Sequence, residues 1–153
     1  MVVKTKCFGE IEIGEEKIIT FETGLFGFEE YKNYTILFDL EKEGKERISW
    51  LQSLEEPTLA FPMISPLAVK DDYNPSVSEG ELKALEPLTE ENMAMFLILT
   101  VPGDITKMTA NLKAPIVINS DTRVGAQVVA DNSQYQVRYE VFSKLTSKEE
   151  AAC

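Results

Sequence analysis

The chain of 153 residues contains no histidine. Histidine is the most frequent general base in enzymes, the proton carrier of the catalytic triad and the commonest metal ligand in proteins. Without it, the chain lacks the simplest routes to triad chemistry and to zinc-dependent hydrolysis. The sequence therefore favours a protein that binds other molecules over one that catalyses a reaction.

Cysteine is almost as scarce, since Cys7 and Cys153 lie near opposite ends of the chain without Cys-x-x-Cys spacing. The pattern is not that of a zinc site or a redox motif. We expect Cys7, next to Phe8 in a strand, to be a buried core thiol. We expect Cys153 to be a thiol of the tail in a reducing cytoplasm. A disulfide that joins the two termini is the alternative.

Long hydrophobic runs are also missing, and none approaches the roughly 20 residues that a helix needs to cross a bilayer. Lys4 and Lys6 lie where a signal peptide would carry its apolar segment. Hydrophobic residues still make up 44% of the chain, enough for an ordinary globular core. We expect one cytoplasmic domain over residues 1–143, followed by a C-terminal tail at 144–153.

Positive charge is in short supply, because 15 basic residues face 26 acidic ones and the net charge is −11. Much of the excess is local: residues 71–91 carry seven acidic side chains and only Lys83, a net of −6. Such a surface repels nucleic-acid phosphates and anionic lipids, and it attracts basic partners. We expect no direct binding to nucleic acid or to a membrane.

The hydrophobic pattern predicts a mainly β fold. Val124, Ala126 and Val128 alternate with other residues, as in a strand with one apolar face. The nearly continuous apolar run at 95–101 predicts a strand covered on both faces. Many short strands between turn signals are typical of a sandwich or barrel, and we expect a single compact antiparallel β-barrel-like domain. The predicted strands are 3–8, 17–21, 35–40, 47–53, 59–63, 95–101, 106–112, 116–118, 123–129 and 136–142.

One or two short helices are expected besides the strands. Ser78 with Glu81 three residues later is a capping-box pattern. Leu82 and Leu85 then supply an apolar face before Pro87 ends the helix.

Three other segments have predicted local structure. The charged run at 41–46 with Gly44 predicts a turn that joins two strands as a hairpin. A second helical turn is expected to start at Thr89. The tail at 143–153 is expected to form a frayed helix.

Residues 109–119 contain a proline break followed by a β-branched run. Pro115 has no amide hydrogen and favours an extended backbone at Ala114, so it cannot lie in the middle of a central strand. We expect a corner where one strand passes to the next, with Asn111 or Asn119 binding local backbone groups.

Three large apolar residues, Leu25, Phe26 and Phe28, lie among glycines in a predicted turn. The Gly-x-x-Gly spacing is not a phosphate loop, since no Lys-Ser/Thr pair follows it. If the three side chains fold inward, they plug one end of a barrel. If some remain exposed, they form an apolar patch of the kind that marks protein interfaces. The same two alternatives apply to other aromatic residues, Tyr31, Trp50 and Tyr73.

A series of short motifs follows one order along the chain. They are Ile-Thr-Phe at 19–21 and Gly-Leu-Phe-Gly-Phe-Glu at 24–29, Leu-Gln-Ser at 51–53, Pro57 with Leu-Ala-Phe at 59–61, Pro66, 96–102, and 109–119 with Gln127. This series resembles the FliW family of flagellar assembly factors across most of the chain. Members of that family commonly carry proline where this chain has Phe26.

The resemblance implies a cytoplasmic, non-enzymatic regulator with a compact antiparallel β-barrel-like fold and no cofactor. The family binds flagellin and, in many bacteria, CsrA, a small RNA-binding translational repressor. While FliW is bound to flagellin, CsrA is free to block flagellin translation. Export of flagellin releases FliW, which then sequesters CsrA, so that translation resumes.

The acidic segment suits such a partner, because CsrA must present basic groups to RNA. We expect an apolar barrel face to dock the partner and acidic residues to attract it. The predicted partner-binding residues are Glu41, Glu43, Glu46, Asp71, Asp72, Tyr73, Glu79, Glu81 and Glu86.

The sequence is also compatible with two other functions. One is a flagellin chaperone that does not contact CsrA. The other is a carboxylate-dependent hydrolase, in which two carboxylates from different strands converge in a cleft as they do in glycosidases. Neighbouring carboxylates in one strand point to opposite faces, so the acidic doublets of this sequence are not themselves catalytic pairs.

Overall fold

The computed structural model describes residues 1–38 and 48–144, and its main feature is a closed β-barrel. The described helical segments are one α-helix, α1 (Glu79–Leu82), and 3-10 turns at Glu15–Lys17, Pro66–Ala68, Lys83–Leu85, Ile105–Lys107 and Phe142–Lys144. The strands are β1 (Val2–Lys4), β2 (Glu10–Glu12), β3 (Ile19–Phe21), β4 (Asn33–Phe38), β5 (Ser49–Ser53), β6 (Ala60–Ile64), β7 (Met93–Thr100), β8 (Thr109–Ala110), β9 (Ile116–Asn119), β10 (Val124–Gln127) and β11 (Tyr139–Glu140).

Seven strands form the barrel in the order β3-β4-β5-β6-β7-β9-β10, and β10 returns to β3. The predicted barrel is confirmed. Six of the seven neighbouring pairs are antiparallel, whereas β3 and β10 are parallel. The exception has a geometric cause: strand directions cannot alternate all the way round a closed ring with an odd number of members. β8 and β11 extend from β7 outside the ring, and β1 and β2 form a separate hairpin.

The corner predicted at Pro115 lies between two strands that share one neighbour. β9 pairs with the first half of β7, from Met93 to Phe96, and β8 pairs with its last two residues. At Pro115 the chain therefore passes from β8, which pairs with the end of β7, to β9, which pairs with the first half of β7. The side-chain oxygen of Asn111 accepts hydrogen bonds from the amides of Lys113 and Ala114, each at 3.0 Å, so the predicted corner and its asparagine are both confirmed.

The barrel is filled by an interior core and covered by two outer cores. The covering of β7 on both faces is confirmed, because Phe96 and Ile98 pack inside whereas Leu97 and Leu99 pack outside. An outer core over β9 and β10 contains Leu85, Val117 and Val128. The interior core consists of Ile19, Phe21, Leu25, Tyr34, Leu51, Met63, Ile116 and Ile118.

Several predicted element boundaries are wrong. The first strand ends at Lys4, so Cys7 lies in a bend, half-buried and disulfide-bonded, rather than as a buried free thiol in a strand. The predicted strand at 106–112 shrinks to β8, because the Asp104 carboxylate accepts from the Thr106 amide at 3.1 Å and caps a 3-10 turn. The predicted hairpin at 41–46 and the tail helix beyond residue 144 lie outside the described residues.

Tyr34 brings an unusual polar group into the interior core. Its side chain is fully buried, and its hydroxyl finds no hydrogen-bond partner among the described residues. Burial, assisted by the negative charge of Glu55 and by Tyr31, raises the pKa of Tyr34 to about 12. The fold thus retains the phenol proton that an unfolded chain would release near its ordinary pKa of 10.0.

We predict that Tyr34→Phe leaves the free energy of unfolding at neutral pH unchanged or raises it by up to about 1 kcal/mol, because an unpaired buried hydroxyl is removed. Because the folded state holds the phenol proton more tightly than the unfolded chain does, its protonation stabilises the fold fully below pH 10. This stabilisation is progressively lost as the pH rises from 10 toward 12. Urea unfolding at pH 7, 10 and 11 should therefore show a smaller alkaline loss for the variant. A neutral-pH loss above about 2 kcal/mol would mean that the hydroxyl has a stabilising partner.

Candidate protein-binding surfaces

The acidic segment is organised around α1, which lies over the outside of the barrel. Ser78 is the N-cap residue, and the helix continues as the 3-10 turn to Leu85 before Pro87. Leu85 is fully buried, and Leu82 packs beside it against Val117 of β9. The predicted position and apolar face of the short helix are confirmed. A turn from Thr89 is also present, closed by a 3.0 Å hydrogen bond from the Met93 amide.

The predicted capping box does not form, because the Ser78 side chain makes no hydrogen bond to the helix backbone. The Ser78 hydroxyl lies instead 3.4 Å from one carboxylate oxygen of Glu81. The other oxygen of Glu81 accepts a 2.9 Å hydrogen bond from the amide of Val129, which follows β10. The hydrogen bond between Glu81 and Val129 therefore attaches α1 to the outside of the barrel.

Asn119 makes a second attachment between this segment and the barrel. Its amide nitrogen donates to the carbonyls of Leu85 at 2.8 Å and Pro87 at 3.1 Å. Its side-chain oxygen accepts from the amides of Asp121 at 2.9 Å and Thr122 at 3.2 Å. One buried side chain thus shapes the β9–β10 turn and holds the end of the acidic helix.

The predicted acidic residues fall into two separate places. Glu79 and Glu86 are exposed and line a groove of about 690 Å³ together with Lys83. Asp71 and Asp72 border a different depression of about 510 Å³. Among the described residues the two sites have no lining residue in common, so the acidic residues of the segment line two sites, which we call the two acidic patches.

Within the second patch, Asp72 forms an ion pair with Lys70 at 3.0 Å. The hydrogen bond and charge of Lys70 lower the pKa of the Asp72 carboxyl below its ordinary value. Asp71 has no ion pair among the described residues and is exposed. Because Lys70 already offsets one of its two charges, this patch attracts a basic partner less strongly than its sequence suggests.

Tyr73 belongs to the outer core instead of the partner surface predicted for it. It is only 8% exposed, its ring stacks on Tyr135 with centroids 4.8 Å apart, and its hydroxyl donates to the Leu112 carbonyl at 2.8 Å. Burial raises the pKa of Tyr73, so the phenol stays protonated. Trp50 is likewise a core residue, whereas Glu41, Glu43 and Glu46 lie outside the described residues.

A second candidate surface occupies the barrel end at residues 24–28. Leu25 folds inward and is 1% exposed, whereas Phe26 is 53% and Phe28 36% exposed. Both alternatives considered for these residues therefore occur together: one side chain plugs the barrel and two form an apolar patch. Gly24 and Gly27 adopt positive φ angles of 69° and 85°, which glycine tolerates and which make the tight turn feasible.

Gln127 connects this turn to the corner at Pro115. Its side-chain oxygen accepts from the Phe26 amide at 2.9 Å, and its side-chain nitrogen donates to the Ala114 carbonyl at 3.2 Å. Local sequence patterns gave Gln127 no role, because its two partners are distant along the chain. The only signal was its place in the series of motifs that resembles a known family, and two of those motifs meet here.

The family of this chain follows from its similarity to known proteins. A family model described as FliW protein matches residues 2–141. The chain belongs to the FliW family. Relatives in Lachnospira eligens and Lachnoclostridium phytofermentans, both named flagellar assembly factor FliW, are each 51% identical to it, over 97% and 100% of this chain and 99% and 100% of theirs.

A solved structure supports the same conclusion. The crystal structure of a flagellar assembly factor FliW superposes with a TM-score of 0.82 at 35% identity, over 93% of this chain and 97% of that one. The FliW fold seen here is thus shared with an experimentally determined relative. Within residues 1–38 and 48–144, no helix has the length and apolar character that a membrane crossing needs.

Proposed function

We propose that this FliW-family protein binds flagellin and sequesters the translational repressor CsrA in a partner switch, which relieves repression of flagellin translation in the cytoplasm. The observation that carries the proposal is the match of the chain over nearly its whole length to proteins named flagellar assembly factors. In this scheme, flagellin and CsrA compete for the protein. Export of flagellin makes the protein available to CsrA.

The groove beside α1 supports the electrostatic half of this proposal. Glu79 and Glu86 are exposed there, and Lys83 is the one basic residue among the described residues that line the groove. A repressor that binds RNA must carry basic groups, which these carboxylates would attract. Exposed charge pairs contribute little to affinity, so their effect lies mainly in the association rate and in keeping RNA phosphates away from the bound repressor.

We predict that the double variant Glu79→Lys, Glu86→Lys slows association with CsrA roughly fivefold at low salt, because both substitutions reverse charges that steer the encounter. Glu81 is left unchanged, since its carboxylate holds the Val129 amide. Stopped-flow fluorescence at low and at high ionic strength measures the effect, which should nearly vanish at high salt.

The matched control reverses Glu10 and Glu12, two exposed residues of β2, and produces the same change in net charge. If both double variants slow association equally, the effect comes from total charge and the groove has no special role. If neither changes the rate, the groove is not on the path of CsrA.

The proposed function itself is tested by titration calorimetry with purified CsrA and purified flagellin, first separately and then in competition. We expect 1:1 binding of each protein to one protomer and displacement of CsrA by excess flagellin. Binding of flagellin without CsrA would leave a chaperone as the function. Binding of neither would refute the proposal.

A further inference from the structure

The barrel has a second end, opposite the turn at 24–28, where the described side chains leave its interior open. β3, β7 and β10 begin at this end, and β4 and β9 finish there. A cavity of about 480 Å³ opens between these strands. We infer that it binds a small carboxylic acid with one apolar tail, such as a medium-chain fatty acid, with the tail inside the barrel and the carboxylate at the mouth. This site goes beyond the proposed function and involves neither CsrA nor flagellin.

The wall of the cavity is the inward face of the barrel. Ile19 and Ile118 belong to the interior core and also line the cavity. Ile36, Ala94 and Phe96 pack against the same core but are only partly buried. Side chains that point into a small closed barrel normally fill it. Partly exposed ones therefore mark interior space that is available to a ligand.

The size and the position of the cavity suit a small molecule. Small-molecule sites usually measure roughly 300–1,000 Å³, are lined mainly by apolar side chains, and occur in the mouths of β-barrels. Deeper in the barrel, Phe21 and Tyr34 are completely buried, so the space is confined to the mouth and suits one tail. Burial of that tail removes apolar surface of both molecules from water, which supplies the affinity.

Arg123 brings a guanidinium group to the mouth on a constrained backbone. Its φ of +58° is the one positive φ of a non-glycine residue in the part of the chain that the structure describes. Its amide donates to the Asn119 carbonyl at 2.8 Å, and its carbonyl accepts from the Thr20 amide at 3.0 Å. Residues held in such rarely occupied conformations cluster at ligand-binding positions. Glycine would adopt this backbone without strain, so the feature that arginine adds is its guanidinium group.

The positive groups at the mouth suit a carboxylate. A guanidinium group binds a carboxylate through two parallel hydrogen bonds. Neither Arg123 nor Lys17 forms an ion pair within residues 1–38 and 48–144. The Thr35 hydroxyl donates to the Lys17 carbonyl at 2.9 Å and holds Lys17 at the cavity wall. Ser120, exposed on the same turn as Arg123, adds a hydroxyl donor.

Two carboxylates, Glu12 and Glu16, also border the mouth. Glu16 folds back on its own 3-10 turn, where its carboxylate occupies the space that a β-carbon at Gly14 would need. Glu12 lies on β2, whose hairpin is separate from the barrel sheet. Arg123 directly precedes β10 in the barrel wall, so we place the carboxylate of the ligand there. A cationic head group held by Glu12 and Glu16 is the alternative that the experiment decides.

The chain that follows the cavity has the wrong composition to fill it. Residues 39–47, next after Phe38, contain seven charged side chains and one hydrophobic one, Leu40. Charged groups lose their hydration in an apolar cavity, at a high cost in free energy. A separate molecule with an apolar tail is therefore the better occupant.

The test is calorimetric titration of the protein with sodium decanoate and, separately, with decyltrimethylammonium, both below their micelle concentrations. The two probes have the same tail and opposite head groups. We expect decanoate to bind 1:1 with a Kd below about 1 mM. Decyltrimethylammonium should bind roughly tenfold more weakly, because it cannot accept hydrogen bonds from Arg123.

Methyl NMR of the isoleucines locates the bound probe. Decanoate should shift the signals of Ile19, Ile36 and Ile118, which line the cavity, and leave that of Ile48, which lies in an outer core. Sedimentation with phosphatidylglycerol vesicles distinguishes a free acid from a membrane lipid, and we expect the protein to stay in the supernatant.

Two variants test the two parts of the site. Arg123→Gln should raise the Kd for decanoate about fivefold by removing the carboxylate contact. The matched control Arg138→Gln removes one exposed charge at the opposite end of the barrel and should leave the Kd unchanged. Ala94→Phe should abolish binding, because the larger ring fills the cavity. Circular dichroism melting verifies that each variant is folded, and the Arg123 variant decides if the Ala94 variant is not.

The absence of decanoate binding, or binding without shifts of the three lining isoleucines, would overturn the inference. Tighter binding of decyltrimethylammonium would overturn the anionic head group, and equal weakening by both arginine variants would overturn the role of Arg123. Sedimentation of the protein with the vesicles would replace the free acid by a membrane lipid. Because none of these measurements uses CsrA or flagellin, their failure leaves the proposed function untouched.

Discussion

Replacing Asn119 with alanine should lower the free energy of unfolding by about 3 kcal/mol, since the Leu85 carbonyl and two amides of the β9–β10 turn lose a partner at roughly 1 kcal/mol each. The Pro87 carbonyl keeps a 2.9 Å hydrogen bond from the side chain of Asn92. Asn119 is completely buried and makes four hydrogen bonds, two to carbonyls of the acidic segment and two to amides of the β9–β10 turn. Alanine replaces none of them. In a domain of this size the melting temperature should fall by roughly 6–12 °C.

Urea unfolding followed by circular dichroism measures this loss, and Asn111→Ala is the matched control. Asn111 also shapes a turn, but its side chain is only partly buried. Its side-chain oxygen accepts two hydrogen bonds, both from nearby amides. Its replacement should cost about 1 kcal/mol, with water taking over one partner. Equal losses for the two variants would mean that the bonds from Asn119 to Leu85 and Pro87 contribute nothing.

Replacing Gly24 with alanine should destabilise the protein by about 2–4 kcal/mol, through left-handed backbone strain and overpacking together. Gly24 has a φ of +69°, and a β-carbon there would lie 2.6 Å from the Glu29 Cα and 2.7 Å from the Glu29 carbonyl oxygen. Both obstacles are backbone atoms and cannot rotate away. The turn must move, and with it the exposed rings of Phe26 and Phe28.

Gly27→Ala separates these two causes. Gly27 also has a positive φ, +85°, but a β-carbon there would meet nothing within 4 Å. It should cost only the strain, about 1 kcal/mol, and keep the turn in place. Thermal melting compares the two variants. A Gly27 variant as unstable as the Gly24 variant would contradict the assigned clash.

Much of the fold can be predicted from the sequence because its causes are local. The alternation at Val124, Ala126 and Val128, the proline at 115 and the leucines of the short helix each reflect neighbours within a few residues. The parallel pair of β3 and β10 could not be predicted this way. It follows from ring closure, which joins Thr20 to Val124 and depends on the number of strands in the whole barrel.

The candidate binding surfaces were harder to predict, because they depend on contacts between residues that are distant along the chain. A count of acidic residues located the segment but could not separate Glu79 and Glu86, which face solvent, from Glu81, which bonds Val129. Tyr73 stood in an acidic run yet packs inward on Tyr135. The link between Phe26 and Gln127 spans 101 residues, a distance at which pattern and propensity carry no information.

The order in which the ribosome makes the strands gives the parallel pair a further consequence. Until residues 124–127 are synthesised, β3 and β9 each keep one open edge, and open edges are the usual templates for aggregation. Insertion of β10 covers both edges at once. The same step brings Gln127 to Phe26. A nascent chain therefore completes its apolar barrel end in the same step that covers the open edges of β3 and β9.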